Sequence, residues 1–120
     1  MNILLAEDDV LTQKSLTYFL ESKKYDITHV NDGEAAFSLL KDQSFDLIIT
    51  DLNMPKIGGM ELIHLIRNDL NLKTPVIVLT ASGIEQTELD AFSIGASEFI
   101  SKPFSPSVLD MRIKRLVPTT

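Results

Sequence analysis

A chain of 120 residues, 44 % of them hydrophobic and none of them cysteine, is long enough for one domain with a real core and too short for two. Its formal net charge of −6 excludes a broad grip on a phosphate backbone, so nucleic-acid binding by this chain alone is not expected. Disulfides and thiolate metal sites are excluded as well, in keeping with a reducing, cytoplasmic setting. No apolar run approaches the ~20 residues of a membrane span, and Met1-Asn2-Ile3-Leu4-Leu5 lacks the basic lead of a signal peptide.

In chain order, an apolar run over residues 3–6 leads directly into Glu7, Asp8 and Asp9. Leu16, Phe19 and Leu20 then follow the i, i+3, i+4 spacing of a helix. The next run, 27–30, is half polar (Thr28, His29), which predicts a strand near an edge. Ala36, Leu39 and Leu40 mark a second helix, and the apolar run 47–50 ends at Asp51. Pro55, Gly58 and Gly59 force a turn before a helix at Met60 that Leu62 and Ile66 continue. The run 76–80 ends at Thr80, with small Ala81 and Ser82 behind it. Residues 84–94, preceded by Gly83, form the weakest helical pattern, with Leu89, Ala91 and Phe92 as its apolar face; this helix is expected to be the loosest. Run 99–101 leads to Lys102-Pro103, and Ser105-Pro106 opens the last helix, continued by Leu109, Ile113 and Leu116. Residues 1–117 read as the domain and 118–120 as a tail or the start of a linker.

Runs one, three and four are continuously apolar, as strands covered on both faces require. Strands alternating with helices five times predict an α/β domain, a parallel sheet with helices on both faces, and right-handed crossovers leave few topologies. In such sheets ligands bind at the downstream strand ends, where Glu7, Asp8, Asp51, Thr80 and Lys102 all sit. Three crowded carboxylates repel one another unless a cation is present, and hard oxygen donors suit Mg²⁺. Asp8 and Asp9 could instead cap the helix near Val10, but Asp51 makes the metal reading the better one.

Asp51 can also attack phosphorus to give an aspartyl phosphate, with Mg²⁺ and the Lys102 ammonium offsetting charge. Thr80 could donate to a phosphoryl oxygen, Ala81 leaving room, and the backbone of Asn53 could approach from its loop. The bland readings are a solvated Lys102, a Thr80 hydroxyl serving its own loop, and a Phe99 that belongs to the core. His29 and His64 are expected to lie away from these positions, in structural or surface roles.

The motifs together resemble the receiver domain of two-component response regulators. They are Glu7-Asp8, Asp51 with Met54-Pro55 and Gly59, Val78-Leu79-Thr80-Ala81, and Gly95-Ala96 leading through Phe99 to Lys102-Pro103-Phe104. The resemblance implies a doubly wound, flavodoxin-like sheet of five parallel strands in order 2-1-3-4-5 with five helices. It implies that Asp51 takes a phosphoryl group from a histidine kinase or phosphotransfer protein, so that the chain catalyses only its own phosphorylation and dephosphorylation. Mg²⁺ would be held by Asp8, Asp51, the backbone of Asn53 and, through water, Glu7. Thr80 and Lys102 would contact the phosphoryl group, Phe99 would be the switch aromatic, and Lys102-Pro103 would be cis. Asn53 and Ser82 would tune the lifetime of the phosphorylated state. The changed surface of helix 4, strand 5 and helix 5 would dock an output domain or protein, or a second copy as a homodimer; no membrane partner is implied.

Three other readings share parts of the pattern. A Mg²⁺-dependent aspartyl-phosphate hydrolase wants a second acid two residues after the nucleophile, where this chain has Asn53. A flavin-binding domain needs glycine and hydroxyls after the first strand, where Glu7-Asp8-Asp9 stand. An unphosphorylated adaptor on the same fold would have no use for the full set of site residues.

Overall fold

Continuously apolar strands need cover on both faces, and the computed structural model, which describes residues 1–81 and 84–118, supplies it. Ser82, Gly83 and the last two residues of the expected tail lie outside the described residues. The elements are β1 (Asn2–Ala6), α1 (Val10–Ser22), β2 (Asp26–Val30), α2 (Gly33–Asp42), β3 (Leu47–Asp51), α3 (Gly59–His64), β4 (Val76–Thr80), α4 (Glu85–Ser93), β5 (Glu98–Ser101) and α5 (Pro106–Leu116). All strand pairs are parallel, in the order β2-β1-β3-β4-β5. The doubly wound, flavodoxin-like α/β expectation is met, and half-polar β2 is an edge strand.

Alternation along each strand divides the core in two. Leu4, Ile48, Val76, Val78 and Phe99 face Ala36 and Leu40 of α2, Leu62 and Ile63 of α3, and Ala91 of α4. Ile3, Leu5, Ile49, Ile77, Leu79 and Ile100 face Leu16 and Leu20 of α1 and Leu109 and Ile113 of α5. Both faces of the central strands are therefore dry, which is why their sequences show no polar alternation. No helix among the described residues is long and apolar enough to cross a membrane.

Local details depart from the sequence reading in three places. The helix after the β3 turn does not end as it began. It passes into a π-helical turn over Leu65–Asp69, in which Leu70 N–H donates to the Leu65 carbonyl at 3.0 Å. The apolar face expected on α4 is corrected as well: only Ala91 is buried, while Leu89 is 54 % and Phe92 41 % exposed. At 100° per residue, Leu89 and Phe92 share one stripe and Ala91 lies on the far side from Leu89. The small residue meets the sheet and the large ones face outward. Finally, Ser105 takes the N-cap backbone conformation before Pro106, but its hydroxyl makes no capping bond.

On the α1/α5 face, Tyr25 Oη donates to Asp110 Oδ1 at 2.7 Å, and Lys114 Nζ lies 3.0 Å from Asp110 Oδ2. Burial, followed by the neighbouring carboxylate, pushes the Tyr25 hydroxyl from 10.0 up to about 12. Below pH 10 the hydroxyl is protonated in both folded and unfolded chains; between 10 and 12 only the folded chain retains the proton. Stability therefore falls as pH rises through this window, by about 2–3 kcal/mol at most. Tyr25→Phe should flatten this alkaline limb in denaturation midpoints measured from pH 9 to 12 (a range set by the ordinary tyrosine value of ~10). An unchanged slope would show that the hydroxyl does not carry it.

Candidate functional site

The downstream strand ends of this sheet gather the polar residues that the sequence placed there. Glu7 leaves β1 with its N–H still paired to the Val30 carbonyl at 3.1 Å, so its backbone continues the strand direction. Its side chain is fully buried. One carboxylate oxygen accepts from Lys102 Nζ at 2.9 Å and the other from the Asp9 N–H at 3.1 Å. Asp51 is the last residue of β3, itself buried, with Oδ2 3.4 Å from the same Lys102 Nζ. Asp8 is exposed. One carboxylate oxygen each from Glu7, Asp8 and Asp51 lie within 4.8 Å of one another. The helix cap, in contrast, belongs to Asp9, whose carboxylate accepts from Thr12 N–H at 2.9 Å and Thr12 Oγ1 at 2.6 Å. The capping use expected of this pair thus falls to Asp9, and Asp8 is left in the carboxylate cluster.

Lys102 reaches the acids because β5 runs beside β4 to its end. Thr80 pairs with Ser101, and the Lys102 N–H donates to the Thr80 carbonyl at 2.6 Å. The Lys102-Pro103 bond is cis, as the resemblance implied. Thr80 is fully buried. It alternates with Val78, the register partner of Phe99, so Thr80 and Phe99 point to the same side of the sheet. Phe99 itself packs in the core beneath α3 and α4, as its position alone suggested. Asn53 lies exposed in the loop after β3.

Gly59 is required by the way that loop returns over β3. A Cβ there would stand 2.4 Å from the Asp51 carbonyl oxygen, a distance no side chain can occupy. The same turn is closed by Gly59 N–H donating to the Leu52 carbonyl at 2.9 Å. The glycine that the motif placed eight residues after Asp51 thus lets the chain pass close behind the candidate nucleophile.

The electrostatics follow from burial and pairing. Burial raises the Glu7 carboxyl pKa, with Lys102 pulling the other way. For Lys102, burial works against the charged form, but the Glu7 hydrogen bond and the Asp51 charge outweigh it and raise the ammonium. Lys102 therefore stays a cation, shared between two acids that would otherwise repel.

Three features escaped the sequence reading. His29 was expected away from the site, yet its Nε2 lies 2.8 Å from the Glu7 carbonyl oxygen; a carbonyl only accepts, so Nε2 donates. The edge strand β2 runs beside β1, and pairing carries His29 to that position. A cavity of about 570 Å³ opens beside Lys102, lined by Leu11, Thr12, Leu16, Pro103 and Phe104. The third is Arg67, whose guanidinium bonds to the Gly95 carbonyl across the molecule. Gly95 belongs to a motif noted in the sequence, but nothing in the sequence pairs it with position 67.

Comparison with known proteins adds a family. Residues 3–114 match the response regulator receiver domain. The chain is 38 % identical to the transcriptional regulatory protein CrdR of Helicobacter pylori, over 94 % of this chain and 53 % of that protein. It is 31 % identical to the transcriptional regulatory protein SrrA of Staphylococcus aureus, over 98 % and 48 %. It thus spans about half the length of these curated relatives. Among solved structures, the receiver domain of the Francisella response regulator 1452 superimposes with a TM-score of 0.92 at 29 % identity, covering 97 % of this chain and 95 % of that one. The receiver domain of the Pseudomonas aeruginosa sensor histidine kinase PA1611, whose structure has a magnesium ion coordinated in the active-site cleft, gives 0.88 at 28 %, covering 98 % of both chains.

Proposed function

The chain belongs to the response regulator receiver domain family, and on that premise we propose that Asp51 is its phosphoacceptor, served by Glu7, Asp8, Thr80 and Lys102. The observation that carries this is the shared ammonium: Lys102 Nζ stands 2.9 Å from Glu7 and 3.4 Å from Asp51, within a triad of carboxylates. A structural lysine has no need of two acids at a solvent-facing strand end.

The donor set suits magnesium. All three side chains offer hard oxygens, and an octahedral shell places its oxygens about 3 to 4 Å apart, inside the 4.8 Å span of the cluster. Asp8 and Asp51 would hold the ion with the Asn53 carbonyl, and Glu7 would hold it through water. When bound, it neutralises charge on the transferring phosphoryl oxygens.

The chain's own residues do the rest. An Asp51 carboxylate oxygen forms the new O–P bond while the P–N bond of a donor phosphohistidine breaks, its electron pair leaving with the imidazole. Lys102 keeps its proton and pairs with a phosphoryl oxygen in place of Asp51. The Thr80 hydroxyl donates to another, and Phe99, on the same side of the sheet, follows it. The readout surface is α4, β5 and α5, where Leu89, Phe92 and Met111 are exposed, available to an output domain or to a second copy. The partners are thus a histidine kinase or phosphotransfer protein upstream and an output element downstream. The hydrolase alternative is disfavoured because the residue two after Asp51 is Asn53, which cannot protonate a leaving group.

Incubation with acetyl phosphate and Mg²⁺ should add one phosphoryl group to the intact mass. The adduct should be removed by hydroxylamine, as an acyl phosphate is, and prevented by a chelator. An adduct that resists hydroxylamine, or no adduct at all, counts against an aspartyl phosphate. Sustained turnover of a simple phosphomonoester would favour the hydrolase instead.

A further inference from the structure

At the end of α4 that lies away from the phosphoacceptor, one side chain reaches three segments at once. Arg67, in the π-helical turn, donates from Nε at 3.1 Å and from Nη2 at 2.9 Å to the Gly95 carbonyl. Its Nη1 donates at 2.8 Å to the carbonyls of both Leu72 and Thr74. These four bonds all end on main-chain oxygens and tie together the end of α3, the entry to β4 and the turn from α4 to β5.

Gly95 is shaped to this contact. Its φ is +118°, and a Cβ would stand 2.8 Å from Arg67 Cγ, so both backbone and packing demand glycine. The turn is closed by Ala96 N–H donating to Ala91 at 2.9 Å and Ser97 N–H donating to Val76 at 2.8 Å. Ser97 Oγ also accepts from the Val76 N–H at 3.1 Å. Along its length the helix is lightly packed: among the described residues of α4, Ala91 is the single buried one, and Leu89 and Phe92 are exposed. A helix over-determined at one end and weakly packed along its length can move only by turning about the fixed end.

We propose that Arg67 is the pivot of the switch: it pins the C-terminal end of α4 to the entry of β4, so that displacement begun at Thr80 swings the N-terminal end of the helix and leaves residues 93–97 in place. The displacement rests on the phosphoacceptor reading above; the clamp itself does not. Arg67→Lys keeps the charge but cannot span three carbonyls, because a point donor replaces a planar fork.

The test is hydrogen exchange on the full chain, unaltered and Arg67→Lys, with and without beryllofluoride and Mg²⁺ as the phosphoryl mimic. In the unaltered chain the mimic should change exchange within residues 84–91 and leave 95–97 as they were. In Arg67→Lys, the amides of Gly95 and Ala96 should exchange about tenfold faster without the mimic, and the mimic-dependent change should spread into 93–97. That spread is a readout general destabilisation would not produce. Should Arg67→Lys fail to fold, Gly95→Ala strikes the same contact from the other side and must give the same spread.

Unchanged protection at Gly95 and Ala96 would overturn the clamp, and a response still confined to 84–91 in the variant would overturn the pivot. If the mimic changes nothing in the unaltered chain, the phosphoacceptor reading falls and the pivot with it, so the two failures are told apart.

Discussion

Asp51→Asn should reduce phosphoryl incorporation from acetyl phosphate to background while leaving the folded domain intact. The amide offers no anionic oxygen to form an acyl phosphate, so the loss is of the acceptor itself rather than of a rate factor. The fold should survive because the contacts around this residue are to its backbone: the Thr50 hydroxyl donates to its carbonyl at 2.9 Å, and Gly59 passes behind the same oxygen. The side chain loses one ion pair at 3.4 Å, but Lys102 keeps its shorter bond to Glu7. Removing one of three crowded acids also relieves repulsion. The two effects oppose each other, and the melting temperature should move by no more than about 4 °C, the shift that 1 kcal/mol produces in a domain of this size. Intact-mass spectra and a melting curve on the same preparation decide it. If the variant takes up phosphate as the unaltered chain does, the acceptor lies elsewhere.

Lys102→Ala should separate cation binding from phosphoryl transfer. Losing a preorganised charge at the position where phosphoryl oxygens develop negative charge typically costs about 10²–10³-fold in rate. The same change removes the ammonium that competes for Glu7 and Asp51, so Mg²⁺ binding, followed by titration calorimetry, should hold or tighten. Arginine should not restore the rate, since a planar fork cannot replace a single donor placed 2.9 Å and 3.4 Å from two acids. Burial already raises the Glu7 carboxyl; without its partner it should take up a proton more readily still, which spares the fold the cost of a bare buried charge. A phosphorylation rate unaltered in Lys102→Ala would remove Lys102 from the chemistry.

The strand ends were legible for a simple reason. A strand buried on both faces rarely tolerates a charged residue until it leaves the sheet, so the first acid or amine marks the exit; a hydroxyl marks it less surely, since Thr50 is buried inside β3 with its bond spent on the Asp51 carbonyl. Glu7, Asp51, Thr80 and Lys102 all stand at such exits. Asp8 and Asp9 were ambiguous because both capping and metal binding want an exposed aspartate just after a strand. The structure resolved the cap, since only Asp9 is three residues before Thr12 with its carboxylate turned to that N–H. The face of α4 was misjudged because three apolar residues in four look like one stripe, whereas helical angles place Ala91 and Leu89 on opposite sides.

Local pattern along the chain was enough for the strand runs, the helical stretches and the residues that close the strand runs, because burial on both faces makes a strand continuously apolar and burial on one face gives a helix its 3.6 period. Which strands lie side by side, and therefore whether Asp51 and Lys102 share a site 51 residues apart, is a matter of contacts between distant segments that leave no periodic trace. The bond from Arg67 to Gly95, the place of His29 beside Glu7 and the outward turn of Phe92 belong to that second kind. Each depends on where packing sets one element against another, and only the assembled fold contains that information.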